Sequence, residues 1–205
     1  ENFDPNQPRA PAGTPEGGQW VDEDGDDLSL DSVAQKMLEL GVKKVDLKNM
    51  DTRVARILLR ELQAAPVLPK RVRLHTGLKD TLARSAFKYG ASWGDLDISS
   101  RASQHKLMEE EVTQAQAAKY SSGLPTFSDA SLPGLLRHEI GHLGHRYFGM
   151  RTAVLNDPEV NEFWKTKLSE YSSVAWTTLD ERNARAEGIA ESYALWRAGG
   201  EVPTK

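Results

Sequence analysis

Five histidines, no cysteine, a formal net charge of −4 and 39% hydrophobic residues over 205 positions set the bounds. The length fits one domain, or one domain with an appendage, and the apolar fraction suffices for a core. The acidic balance offers no footprint for nucleic acid or an anionic membrane. No run approaches the ~18 apolar residues of a bilayer span, and without thiols any zinc must sit on histidine and carboxylate.

Residues 1–27 differ from the rest. Pro5, Pro8, Pro11 and Pro15 alternate with Gly13, Gly17 and Gly18, and an acidic run from Asp22 to Asp27 follows. With no apolar periodicity, this stretch reads as a flexible or partly docked arm. An EF-hand loop starting at Asp22 would need glycine at 27 and glutamate at 33; Asp27 and Val33 stand there instead, so the run is a solvated linker. No signal peptide is visible and the first residue is Glu1, which is the expectation for a fragment or a processed product.

The folded domain is expected over 28–205. Leu30, Val33, Ala34, Met37 and Leu38 follow helical spacing, and Gly41 is placed to end that helix. Val45 and Leu47 alternate with charged residues as a short strand. Asp51 caps a second helix with Val54, Ile57, Leu58 and Leu62, stopped before Pro66. Arg71 to His75 alternates as a strand, Leu78 to Phe87 is expected as a helix, and Asp95 to Ser99 alternates again. Ser103 to Tyr120 reads as a polar helix with Leu107, Met108, Val112 and Ala115 on one side. Asp157 caps a helix bearing Val160, Phe163, Trp164 and Leu168. A last helix runs from about Asp180 to Ala198, closed by Gly199 and Gly200. The pattern is α+β: a small mixed sheet with helices in the first half, and helices alone in the second.

Between these halves lies His138-Glu139-Ile140-Gly141-His142. Histidines four apart on a helix are separated by ~400° of rotation, so they share a face one turn apart and can bind one ion. Glu139, ~100° further round, is placed to act on a metal-held water as general base. Ser131 before Pro133 reads as an N-cap, giving a helix over about 132–148. Leu135, Leu136, Ile140, Leu143 and Phe148 make it amphipathic rather than solvated. Gly141 in mid-helix costs ~1 kcal/mol relative to alanine, which a helix accepts where another backbone comes close. His75 and His105 stand alone and read as ordinary surface or strand residues.

A catalytic zinc needs a third protein ligand and an open fourth position. His145 lies ~10 Å along the same helix from His138, too far to share the ion, and no later histidine follows at H-x-x-G-x-x-H spacing. A downstream carboxylate is therefore expected, from among Glu159, Glu162, Glu170, Glu181, Glu187 and Glu191. Glu187 is the best placed, because Ala186, Gly188 and Ala190 allow close helix approach. Glu191 shares its face and can accept a hydrogen bond from a ligand imidazole.

H-E-I-G-H with a later E-x-x-A-E resembles the gluzincin metallopeptidases, in particular those of the anthrax lethal factor type, over roughly residues 90–197. The resemblance implies a zincin-like fold, a Zn²⁺ cofactor held by His138, His142 and Glu187, Glu191 as the supporting carboxylate, and endopeptidase activity on a protein or peptide substrate. It also implies that Asp95 to Ser99 is the edge strand along which substrates pair. The family carries a transition-state tyrosine shortly before the ligand glutamate; Asp180 stands at the comparable position here, and Tyr171 is the nearest upstream substitute. The arm, with Asp4-Pro5-Asn6-Gln7-Pro8-Arg9 and Gly13 to Trp20, resembles a linker of bacteriophage head-associated proteins and prophage polyproteins. That implies a setting in the bacterial cytoplasm or the phage particle, with phage head proteins as partners. Two other readings stand beside the peptidase. One is a phage-associated structural module, whose zinc would carry a fourth protein ligand such as His145 or Asp180. The other is a toxin effector with the same chemistry and a narrow protein target.

Overall fold

In a computed structural model of the chain, residues 28–75, 78, 83–87, 94–107, 110, 131–148 and 157–202 are described. The N-terminal arm of residues 1–27 lies outside them, as do Met108, Val112 and Ala115 of the expected polar helix.

Local signals set the first elements. Helix α1 (Leu30–Leu40) starts where the Ser29 side chain accepts the Ser32 amide and ends at Gly41, which adopts a left-handed φ of 114°. Strand β1 (Lys44–Asp46) follows. Asp51 then accepts the amides of Arg53 and Val54 to start α2 (Thr52–Gln63). Strand β2 is Arg71–His75, β3 is Ala83–Phe87 and β4 is Gly94–Ser99. After a 3-10 turn at Ser100–Ser103 the long helix α3 covers Leu132–Phe148, the expected span, and the Gly134 amide donates to the Ser131 side chain at 3.0 Å. Three further helices follow among the described residues: α4 (Pro158–Thr166), α5 (Glu170–Thr178) and α6 (Glu181–Arg197). Asp157 and Asp180 cap α4 and α6.

The sheet order is β1-β2-β4-β3, with β1, β2 and β4 parallel and β3 antiparallel at the edge. Two sequence expectations change here. The stretch Leu78 to Phe87 is not a helix: Ala83–Phe87 pairs along β4, from Ala83 opposite Ile98 to Phe87 opposite Gly94. Pairing with a neighbouring strand outweighs local propensity. Nor is Asp95–Ser99 an edge, because it is hydrogen-bonded on both sides and the outer position belongs to β3. Helix α5 had no signal in the sequence. Glu170 to Thr178 lacks an apolar stripe, and the helix is held instead by the Ser169 cap and by the Ser172 hydroxyl donating to the Trp164 carbonyl at 2.8 Å.

Period-two alternation sorts the sheet into two faces. Val72, Leu96 and Ile98 join Val33 and Met37 of α1, Val54, Leu58 and Leu62 of α2, and Leu132, Leu136 and Ile140 of α3 in the main core. The other face is ionic. At one register level lie Asp46, Arg73 and Asp97, and Arg73 forks onto the fully buried Asp97 with Nε to Oδ1 at 2.6 Å and Nη2 to Oδ2 at 3.3 Å. A second apolar cluster of Val160, Trp164, Leu168 and Ile189 holds α4, α5 and α6 together. No helix among the described residues is long and apolar enough to cross a membrane.

Leu136 seats α3 on the sheet and is fully buried. The Leu136→Ala variant is expected to lose about 3 kcal/mol of stability through lost transfer and an unfilled cavity, read as a lower urea midpoint at unchanged slope.

Candidate metal centre

Helices α3 and α6 meet almost backbone to backbone. A Cβ on Gly141 would lie 2.8 Å from the Ala190 Cα and 3.2 Å from the Ala190 carbonyl oxygen, so only glycine fits this approach. Next along α6, a Cβ on Gly188 would lie 2.6 Å from the Trp164 ring. The two small residues flanking the candidate ligands are thus the points at which the helices are seated.

This contact brings together groups far apart in sequence. Glu187 Oε2 lies 3.3 Å from His138 Nε2 and 3.4 Å from His142 Nε2, and the two imidazole Nε2 atoms are 3.1 Å apart. Among the described residues these three form the group with metal-ligand geometry. Donors ~2.0–2.1 Å from a tetrahedral Zn²⁺ stand ~3.3–3.4 Å from one another, so the spacing matches three corners of that polyhedron. The buried Glu187 Oε2 makes no ordinary hydrogen bond. Three electron-pair donors converging on one point, one of them a buried oxygen without a hydrogen bond, is a donor set suited to a cation.

The surroundings hold the set in place. His138 Nδ1 donates to Glu191 Oε1 at 2.7 Å, which turns Nε2 toward His142 and Glu187. Glu191 is buried, so this hydrogen bond also compensates its charge. Tyr171 comes from α5 with its ring edge-on to His138, centroids 5.7 Å apart, and its phenol lies near Glu187. Burial, together with the negative charges of Glu187, Glu139 and Glu191, pushes its pKa up, so the phenol stays protonated. Glu139 is buried beside His138, and its charge acts on both His138 and Tyr171.

Without a cation the cluster needs a proton. Burial disfavours charge on His138, but the carboxylate of Glu187 close by and the hydrogen bond to Glu191 outweigh it and carry the pKa from 6.5 to about 10. Burial likewise works against the Glu187 carboxylate, yet the imidazoles of His138 and His142 beside it hold its pKa well below the usual carboxylate range.

The other sequence candidates fall elsewhere. Glu159, Glu162 and Glu181 are exposed. Asp180 is taken up as the cap of α6, accepting from the Asn183 amide at 3.1 Å and its side-chain nitrogen at 2.6 Å. The side chains of His145 and Glu170 lie outside the described residues. His105 is buried rather than a surface or strand residue. The sequence reading passed over Glu61, a buried acid that grips α3 and α6 from α2 and carries no motif to announce it. No family profile, curated protein or solved structure matches the chain.

The glycines give a paired test. Gly141→Ala is expected to cost roughly 1–3 kcal/mol by overpacking against α6, while Gly144→Ala, which meets nothing within 4 Å, is expected to gain up to ~1 kcal/mol from helix propensity. Chemical denaturation of both variants checks the contrast. The proton-loaded cluster makes a second prediction. Because the folded-state pKa of His138 is raised, its stabilising effect is complete below pH 6.5 and fades as the pH climbs toward 10. In chelator-treated protein, the stability gap between wild type and His138→Gln therefore narrows over that range; a widening gap would contradict the ion pairing described.

Proposed function

We infer that His138, His142 and Glu187 hold Zn²⁺ and that the chain is a zincin-like zinc endopeptidase of the gluzincin type, acting on a protein substrate in a phage or bacterial setting. The observation that carries the reading is the convergence of three donors, from helices 45 residues apart in sequence (His142 to Glu187), at the spacing of a tetrahedral site. Three protein ligands among the described residues, with Asp180 engaged elsewhere, favour a catalytic site over a structural one, which normally takes four. The His/His/Glu donor set with a glutamate beside the first histidine is that of metal-assisted hydrolysis.

Bound there, Zn²⁺ supplies Lewis acidity, lowering the pKa of a coordinated water from ~15.7 toward ~7 and polarising the scissile carbonyl. Glu139 takes the proton of the attacking water and returns it to the leaving amine. Tyr171, kept protonated at neutral pH, donates a hydrogen bond to the oxyanion. Glu191 holds the His138 ring in the ligating tautomer. The substrate pairs in extended form along β3, the outer strand beside α3, rather than along β4 as the sequence resemblance implied.

Two variants separate the parts of this reading. Glu139→Gln is expected to keep its zinc, by elemental analysis, and to lose about 10²–10⁴-fold in turnover. Glu187→Ala is expected to lose the zinc itself. Turnover is read as new peptide N-termini in a bacterial lysate, and a Glu139→Gln protein as active as wild type would remove the mechanism.

A further inference from the structure

Glu61 is 1% exposed, sits on α2 and lies outside the reacting centre. Arg137 on α3 forks onto it, Nε to Oε2 at 2.9 Å and Nη2 to Oε1 at 3.0 Å. Arg197 on α6 donates to the same Oε2 from Nη2 at 3.3 Å, and its Nη1 donates to the Ala64 carbonyl at the end of α2, 3.1 Å away. One carboxylate thus grips both helices that bear the metal-cluster donors.

The placement is specific. Arg137 is the residue before His138, and a forked guanidinium–carboxylate pair fixes rotation as well as distance. Rotation of α3 about its axis is the motion that would swing His138 and His142 away from Glu187. The glycine contact at Gly141 limits how near the helices come, and does not by itself fix how each is turned. The Arg137 and Arg197 side chains are only 16% and 19% exposed. Removal of the carboxylate between them leaves two poorly solvated cations facing each other and drives α3 and α6 apart at that end.

We propose that Glu61 is a positioning residue of the metal cluster, setting through Arg137 and Arg197 the orientation in which His138, His142 and Glu187 converge. This rests on the zinc reading of that cluster. The carboxylate touches neither metal nor substrate, so its effect is on ligand geometry.

The test measures zinc affinity by competition with a chromophoric chelator, and the visible spectrum of the Co²⁺-substituted protein, for wild type, Glu61→Gln and the double variant Glu61→Met with Arg137→Met. The double variant replaces the Glu61–Arg137 pair with apolar side chains and leaves Arg197 its bond to the Ala64 carbonyl, and so separates ligand geometry from folding. Both variants are expected to bind zinc ~10–100-fold more weakly, the range found for supporting groups around metal sites, with altered Co²⁺ bands and a retained circular dichroism spectrum. Should Glu61→Gln fail to fold, the double variant decides alone. Wild-type zinc affinity and an unchanged Co²⁺ spectrum in the folded variants, whatever their stability, would reduce the clamp to a structural contact and overturn the proposal while leaving the zinc reading intact. A wild-type protein that binds neither Zn²⁺ nor Co²⁺ overturns both together.

Discussion

The molecule depends on one close approach, that of α3 to α6 through Gly141 and Ala190. A side chain at Gly141 would hold the helices apart, and the His138, His142 and Glu187 side chains would then no longer meet. The contact also joins the two halves of the chain. Helix α3 belongs to the sheet-based core through Leu132, Leu136 and Ile140, while α6 contributes Ile189 to the separate cluster around Trp164. The donors gather on the seam between two apolar bodies, where charge is expensive to bury and each charged group needs a partner.

That requirement is met repeatedly. Glu61, Asp97 and Glu191 are all buried, and each is matched to a cationic or donor group: a guanidinium pair, a single forked arginine and an imidazole. Glu187 differs, because its buried Oε2 faces two imidazoles without an ordinary hydrogen bond. These three acids therefore shape and stabilise the structure, while Glu187 turns its oxygen toward the imidazole pair.

Much of this was written in local sequence. The span of α3, the caps Asp51 and Asp157, and the turn at Gly41 followed from side-chain chemistry that acts within a few residues. Glu187 and Glu191 were legible for the same reason: spacing of four, and small neighbours that permit close packing. What escaped depended on distant partners. Strand β3 exists because β4 offers it a ladder, and α5 because Trp164 and Ser169 bind its serines. Arg137 and Glu61 lie 76 positions apart, and nothing near either one signals their pairing.

The ionic face of the sheet has a mechanical consequence. Arg73 lies opposite Asp97 in the pairing of β2 with β4, while Val72 and Leu96 at the neighbouring level point into the core. A slip of one residue would turn the guanidinium and the carboxylate into that apolar interior, so the strands are keyed against sliding. Strand β3 is laddered onto β4 and inherits this lock. Its outer rim is thereby a rail held beside α3, on a sheet that cannot slide.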